Sequence, residues 1–197
     1  MILYEQEGIM ICTIEEQDKK NVLKYFSENN FNCDFETGSL KPSNNQFIKI
    51  MEDIISGKDR GSNIFVLRKN GETIGYVSMY VEWSRLNIGH IAVKESERGR
   101  GYGTLLTKAA IMVAENEGRE VALYCNRQNN VFEKLGFNSN DGIHFLHEYQ
   151  GIKTEGLPAL FMNVEEYEEM AKKRQEKEVE SFSKFLDSNI WEILKDL

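Results

Sequence analysis

The sequence has little proline and cysteine, and it has no long apolar run. Two prolines in 197 residues argue against a long linker and suit one domain, or one domain plus an appendage. The three cysteines, Cys12, Cys33 and Cys125, lack the spacing of a metal site and suit reduced thiols. No segment approaches the roughly 20 apolar residues of a membrane span, and residues 1–10 lack the features of a signal peptide. We therefore expect a cytoplasmic protein that uses no metal.

An excess of positive charge is also absent. The chain has 24 Lys and Arg against 32 Asp and Glu, a net charge of −8, which disfavours general nucleic-acid binding. The hydrophobic content of 41% and the charged content of 28% are those of a globular protein with a proper core.

The most informative stretch is a strand, a tight loop and a helix in the middle of the chain. The pattern predicts a strand over 88–93, a loop over 94–100 and a helix from near Gly101 to about Glu117. The helix is amphipathic, with apolar residues recurring at a period near 3.6: Leu105, Leu106, Ala109, Ile111, Met112 and Val113.

The loop alternates three glycines with polar residues: Arg98, Gly99, Arg100, Gly101, Tyr102, Gly103 and Thr104. Glycines let a ligand approach the backbone, and a helix N-terminus offers unbonded N–H groups and a positive dipole. With two arginines, this indicates a pyrophosphate cradle. The dinucleotide fingerprint needs a glycine where Thr104 stands, and the P-loop needs a lysine there, so both fit worse. A glycine-rich turn with solvated arginines is the other interpretation.

At this point the sequence resembles the GNAT superfamily of acyl-CoA-dependent N-acetyltransferases. Arg98-x-x-Gly101-x-Gly103 after a strand is similar to motif A of the family. A strand over 120–125, Asn126, and then Phe132-Glu133-Lys134-Leu135-Gly136-Phe137 resembles its second cofactor element. The resemblance covers about residues 9–165.

The resemblance implies acetyl-CoA as co-substrate and a sheet whose two central strands splay apart, with the pantetheine arm between them. It implies that the coenzyme contacts come from the first splayed strand, the glycine loop and the second element. These residues are Ile91, Ala92, Val93, Arg98, Gly99, Arg100, Gly101, Tyr102, Gly103, Thr104, Asn126, Asn129 and Phe132.

The remaining patterns predict an α/β (α+β) fold: a mixed sheet of about six to seven strands flanked by helices. The turn at Asn70-Gly71 predicts a hairpin. The predicted strands are 9–14, 63–68, 72–83, 88–93, 120–125, 144–150 and 157–164, the last two as a hairpin. Further helices are predicted over 15–29, 46–56 and 129–135.

Amide formation from a thioester needs a base, because an amine with a pKa of about 10.4 is almost fully protonated at neutral pH. Glu82 is the first candidate, because the family often has a carboxylate at the end of that strand. His90 is the second, because it starts the motif strand and histidine titrates near neutrality. Each is also interpretable as a structural residue.

The position of the general acid differs from the pattern of the family. The general acid of the family is usually a tyrosine at the position that Phe132 occupies in this chain. Three explanations are open. The thiolate leaves unaided, another residue such as Tyr124 or Cys125 substitutes, or the protein binds the coenzyme without catalysis. Tyr124 is equally interpretable as a core residue.

Two other regions carry expectations about partners. In the family, the region around the first two helices forms a wall of the acceptor site, so Phe31, Asp34 and Phe35 in the loop 31–43 are candidate specificity residues. Residues 165–197 begin with a charged helical block and end with aromatic residues, so we expect a helical extension to the domain 1–164 that docks on it or forms a homodimer.

The leading interpretation is an acyltransferase that moves acetyl from acetyl-CoA to a primary amine by direct attack. Its acceptor is a small molecule or peptide, with no nucleic acid and no membrane involved. The second interpretation is a non-catalytic acyl-CoA-binding module with a partner-binding C-terminal helix. The third, a protein for another nucleotide or phosphate ligand, leaves the match at 132–137 unexplained.

Overall fold

The computed structural model describes residues 1–28, 43–125, 130–141, 143–152, 154 and 156–193. They divide into two compact units, Met1–Phe161 and Met162–Leu197. The second unit contains the helix α5, Val164–Ile193. No helix among the described residues is both long and apolar enough to span a membrane.

A seven-stranded mixed sheet is the central element of the first unit. Its strands lie in chain order, and every neighbouring pair is antiparallel except β5 and β6, which are parallel. The strands are β1 (Ile2–Gln6), β2 (Ile9–Thr13), β3 (Ser62–Lys69), β4 (Glu72–Glu82), β5 (Arg85–Val93), β6 (Glu120–Tyr124) and β7 (His144–His147). The expected sheet with flanking helices is confirmed, as is the hairpin at Asn70-Gly71, where both residues have positive φ.

The predicted strand over 157–164 is wrong, and the seventh strand is instead β1, which the sequence reading missed. The free edge of β7 is bridged by Asn138, which exchanges two backbone hydrogen bonds with Leu146. The N–H groups of Leu160 and Phe161 donate to the buried Glu117 carboxylate, at 2.6 and 3.2 Å. Side-chain acceptors therefore satisfy backbone donors that a strand would have needed.

The strand predicted over 144–150 ends early for the same reason. The N–H groups of Gln150 and Ile152 donate to the Glu115 carboxylate, at 2.8 and 3.0 Å. Glu115 and Glu117 lie at the C-terminal end of the helix Tyr102–Asn116 and are nearly fully buried. Burial raises the pKa of Glu117, although the bonds from Leu160 and Phe161 oppose that rise.

The helices cover both faces of the sheet. They are α1 (Lys19–Glu28), α2 (Asn44–Ile55), α3 (Tyr102–Asn116) and the short α4 (Asn130–Glu133). A short 3-10 helix, Glu16–Asp18, precedes α1. The helices α1 and α2 pack on one face, whose core includes Phe26, Phe47, Met51, Tyr76 and Ala92. The helix α3 contacts β3, β4, β5 and β6.

A buried ion pair joins the start of the first helical region to the sheet. Asp18 is fully buried and accepts a 3.0 Å hydrogen bond from Arg68 Nε, and Thr73 Oγ1 donates to the same carboxylate. Burial is the largest single influence on the pKa of Asp18, and acting alone it would raise that pKa. The bonds from Arg68, Thr73 and the N–H of Glu15 outweigh it, so this pKa lies below its usual range.

Candidate active site

The parallel strands β5 and β6 separate halfway along β5. Their pairing runs from Arg85 opposite Glu120 to Ile88 opposite Leu123. Beyond that pair β5 continues to Val93, while β6 ends at Tyr124. The predicted splay is therefore confirmed, and its closed end is tied by a 2.9 Å ion pair from Arg85 Nε to Glu120 Oε2.

The backbone of β5 presents polar groups to this gap. The N–H of Lys94 donates to the carbonyl oxygen of Ile74 on β4. Because the backbone groups of successive residues in an antiparallel strand alternate in direction, the N–H and C=O of Val93 point away from β4. In agreement, Val93 O accepts a 3.1 Å bond from Arg98 Nε rather than from β4. By the same alternation Ile91 points its N–H and C=O into the gap, and Ala92 points its own toward β4.

A β-bulge lies where the gap opens. Met79 pairs with Ile88 and Ser78 with His90, so Gly89 has no direct partner on β4. A Cβ atom at Gly89 would lie 3.1 Å from Ser78 Oγ and 3.5 Å from the Tyr80 ring. Glycine at this position therefore lets the Ser78 hydroxyl and the bulged backbone approach one another.

The glycine loop follows β5 directly and ends at the N-terminus of α3. Gly99 and Gly101 have φ values of +77° and +82°, a region that favours glycine. No atom lies within 4 Å of an added Cβ at Gly99, Gly101 or Gly103. The first intrahelical bond is from Leu105 N to Gly101 O, so the amides preceding it in the first turn are available to an anion.

Basic side chains surround this loop. Glu97 accepts a 2.9 Å bond from Lys69 and lies 3.6 Å from Arg100, and Lys69 also lies over the ring of Tyr102. The bond from Lys69 and the nearby positive charges hold the pKa of Glu97 below its usual range. Arg98 packs back onto the end of β5. The loop thus combines open backbone with positive charge, as a diphosphate site requires.

His90 lies at the opening of the gap, on the face covered by α1 and α2. Its ring is edge-on to Phe26 and Phe47, with centroid distances of 5.3 and 6.2 Å, and those two rings stack at 3.9 Å. Its Nδ1 lies 3.3 Å from Ser78 Oγ. Two aromatic rings and one hydroxyl therefore hold the half-buried imidazole beside the splay.

Glu82, the other candidate base, lies at the closed end. It pairs with Arg85 at the tip of the β4–β5 hairpin, and its carboxylate accepts a 3.0 Å bond from Asn87 Nδ2. Gly89 is four residues beyond Arg85, so the splay opens about 13 Å farther along the strand. Trp83, next to Glu82, is 62% exposed and has a φ of +55°.

Tyr124 is the last residue of β6, directly beyond the final β5–β6 pair. It pairs with His144, and the two rings meet edge to face at 5.1 Å. His144 Nδ1 lies 2.6 Å from Asp141 Oδ2. The bonds from His144 and from the backbone at 143 and 144 hold the pKa of Asp141 well below its usual range. Tyr124 is partly exposed rather than a core residue.

Phe132 packs in an aromatic cluster. Its ring centroid lies 5.8 Å from that of Phe137 and 5.9 Å from that of Phe145. Cys125, a half-buried cysteine, follows Tyr124. Asn126 and Asn129, and the specificity residues Phe31, Asp34 and Phe35, lie outside the described residues. Within the described ranges, no three His, Cys, Asp or Glu side chains form a group that holds a metal.

The sequence reading missed Ser78 and Gly89. Both lie in ordinary strand patterns, and a bulge leaves no clear signal in alternation. The predicted coenzyme residues of β5 and the loop do lie together, from Ile91 to Thr104, along one path from the gap to the N-terminus of α3.

A splayed parallel pair, a glycine loop and a helix N-terminus thus follow one another along the chain. Residues 27–137 match the model of the Acetyltransferase (GNAT) family. The chain belongs to that family. The comparison with curated proteins finds no match to the chain.

Solved structures of similar fold include the PaiA N-acetyltransferase of Thermoplasma acidophilum in complex with coenzyme A. It is 15% identical, with a TM-score of 0.55, over 73% of this chain and 99% of that chain. RimL, a ribosomal L7/L12 alpha-N-protein acetyltransferase in complex with coenzyme A, is 15% identical with a TM-score of 0.57, over 77% and 100%. The ribosomal-protein-S18-alanine N-acetyltransferase of Escherichia coli is 20% identical with a TM-score of 0.52, over 76% and 99%. At these identities the likeness shows the fold alone.

Proposed function

We propose that the protein transfers an acetyl group from acetyl-CoA to a primary amine by direct attack of the amine on the thioester. The observation that carries this proposal is the continuous path from the β5–β6 gap to the glycine loop. In this proposal the pantetheine arm pairs with the backbone of Ile91 and Val93. The diphosphate binds the first-turn amides of α3, with Arg98 and Arg100 beside it.

The acceptor amine approaches from the face covered by α1 and α2, where His90 lies at the opening of the gap. A lysine-like amine is neutral in only about one molecule in a thousand or fewer at neutral pH. In this mechanism His90 takes the proton, because it lies at the splay and Glu82 lies about 13 Å along the strand from the bulge. Glu82 remains the alternative base through a chain of water molecules.

The attack places negative charge on the former carbonyl oxygen. The N–H of Ile91, directed into the gap, is the donor that stabilises this oxyanion in our proposal. The leaving thiolate has a pKa of about 8.5 and is a weak base, so it leaves without an obligatory acid. Phe132 is consistent with that step, and Tyr124 is the nearest candidate donor if one is used.

Calorimetric titration with acetyl-CoA, followed by thiol release across a panel of amines, peptides and aminoglycosides, tests this function. Binding with amine-dependent thiol release is the expected result. The absence of acetyl-CoA binding would overturn it.

The presence of phenylalanine at position 132 favours a second candidate, a module that binds acyl-CoA without turning it over. That candidate predicts tight binding with no thiol release by the wild-type protein and a gain of activity in Phe132→Tyr. In either case the identity of the acceptor amine is part of the proposal. The acidic net charge favours the diffusional encounter of the protein with cationic amines.

The cytoplasmic location, the two-domain reading of 1–164 and 165–197, and a homodimer through the C-terminal helix are proposals as well. Sedimentation velocity of the full chain tests the last of these, with a concentration-dependent dimer as the expected result.

A further inference from the structure

Lys69, at the end of β3, contacts residues on both sides of the glycine loop. Its Nζ donates a 2.9 Å hydrogen bond to Glu97 Oε2, directly before the segment 98–101. The same Nζ lies 5.9 Å from the centre of the ring of Tyr102, directly after that segment and the first residue of α3. A cation at this distance over an aromatic face is attracted to the ring. One side chain of the sheet therefore spans the segment 98–101.

The two glycines of this segment lie in open space. Gly99 and Gly101 have φ values of +77° and +82°. Among the described residues, no atom lies within 4 Å of an added Cβ at either position. Glycine adopts many backbone conformations, so these residues permit the observed loop without enforcing it. We therefore expect the order of the loop to depend on contacts at its ends.

Lys69 is held firmly enough to act as an anchor for those ends. It lies in the sheet, paired with β2 on one side and with β4 on the other. The side chains of Lys69 and Glu97 are 29% and 17% exposed, so the bond between them is partly shielded from water. That bond raises the pKa of Lys69 and lowers the pKa of Glu97, so both side chains are charged at neutral pH.

We infer that Lys69 is a positioning residue for the coenzyme: by holding Glu97 and Tyr102, it keeps the glycine loop in the conformation that presents its amides to the diphosphate. The Glu97 carboxylate also lies 3.6 Å from Arg100 Nε, so the same contact orients a side chain of the loop. The inference rests on the proposed function for its ligand, whereas the order of the loop is a property of the unliganded protein.

A simple effect of charge makes a different prediction. If Lys69 and Glu97 act only through the electric field at the diphosphate site, the loss of Lys69 weakens binding and the loss of Glu97 strengthens it. If they hold the loop, either loss weakens binding, and the loss of both weakens it no further than the loss of one. The sign of the effect at Glu97 therefore separates the two explanations.

The first measurement is amide nitrogen relaxation by NMR at Gly99 and Gly101 in the unliganded full chain. We expect order parameters near about 0.85 in the wild-type protein and below about 0.6 in Lys69→Met, Glu97→Met and the double variant. Lys69→Arg keeps the charge and is expected to keep the loop ordered. Lys94→Met is the matched control, because it removes a lysine beside the loop that pairs with Glu72 on β4.

The second measurement is calorimetric titration with acetyl-CoA in about 1 M salt, where a Debye length of about 3 Å screens charges that are not in contact. We expect Kd to rise by about fivefold to tenfold in Lys69→Met, as it would if the loop were competent about a fifth to a tenth of the time. Glu97→Met and the double variant are expected to show the same rise, and Lys94→Met none. In turnover, the change is expected in KM for acetyl-CoA and not in kcat.

Wild-type order parameters in Lys69→Met would overturn the inference. Tighter binding in Glu97→Met, or equal losses of affinity in Lys69→Met and Lys94→Met, would overturn it as well, because charge alone would then account for Lys69. Failure of the proposed function is a separate result. A wild-type protein that binds no acetyl-CoA contradicts that function, while a loss of loop order in Lys69→Met still supports anchoring by Lys69.

Discussion

Ile88 and Leu123 are the last residues that join the two parallel strands of the sheet. One residue farther along, Gly89 bulges on β5 and Tyr124 ends β6. The proposed coenzyme path and the proposed base both start from this point.

The diphosphate end is tested by Gly103→Glu. Gly103 lies in the first turn of α3, an added Cβ meets no atom within 4 Å, and its φ is not in the left-handed region. A carboxylate here repels a diphosphate, and we expect acetyl-CoA affinity to fall by at least about thirtyfold, or roughly 2 kcal/mol. Isothermal titration calorimetry measures it.

Gly103→Ala is the matched control. It adds no charge and is expected to bind acetyl-CoA as the wild type does, while stabilising the helix by up to about 1 kcal/mol. Gly101→Glu is a less clean test, because a residue at a φ of +82° adds backbone strain to the charge. Equal affinity in Gly103→Glu and Gly103→Ala would contradict the cradle.

The choice of base is tested by a pair of variants, His90→Gln and Glu82→Gln. We expect His90→Gln to lower kcat/KM by about 100-fold and to remove the acidic limb of the pH profile, because its ring lies at the splay. Glu82→Gln is expected to remain within about threefold, because an amide still accepts the bond from Asn87. Thiol release measured against pH gives both values, and the reverse ranking would make Glu82 the base.

The acid step is tested by Phe132→Tyr. If the thiolate, with a pKa of about 8.5, leaves unaided, the added hydroxyl changes kcat by less than about threefold. The ring is half-buried against Phe137 and Phe145, so the melting temperature is measured alongside to detect repacking. A gain of tenfold or more with unchanged stability would show that the wild-type protein lacks an acid it needs.

The ion pair between Asp18 and Arg68 is tested by Arg68→Met. Removing the guanidinium leaves a fully buried carboxylate unpaired, and we expect the free energy of unfolding to fall by about 3–5 kcal/mol. Urea unfolding followed by circular dichroism measures it. The control is Lys49→Met, which removes an exposed partner of Asp53 and is expected to cost less than about 0.5 kcal/mol.

The ion pair between Asp18 and Arg68 also makes the free energy of unfolding depend on pH in the acid range. The folded-state pKa of Asp18 lies below its unfolded value of about 3.9, so its contribution to stability is present above that pH and is lost as the pH falls through the folded-state pKa. Asp18→Asn removes this titration, and its unfolding free energy is expected to vary less with pH below about 4. An unchanged slope would show that other carboxylates dominate acid unfolding.

Much of the fold was predictable because its signals are local. The Asn70-Gly71 turn, the amphipathic helices and the Arg98 to Gly103 spacing each depend on residues close in sequence, and each is found where predicted. The strand expected over 157–164 failed because the buried carboxylate of Glu117, more than 40 residues away, accepts the N–H groups of Leu160 and Phe161. The edge strand β1 is short and largely exposed, so its pattern is weak.

The sequence by itself determined the mixed sheet, the glycine loop and the family to which they belong, because glycine spacing and apolar periodicity act on neighbouring residues. Only the tertiary structure decided where the splay opens, that Gly89 bulges there, and that Ser78 on the next strand faces His90. It also separated the two candidate bases, with His90 at the splay and Glu82 at the hairpin tip. Strand register sets these relationships, and register depends on pairing between segments that no local pattern specifies.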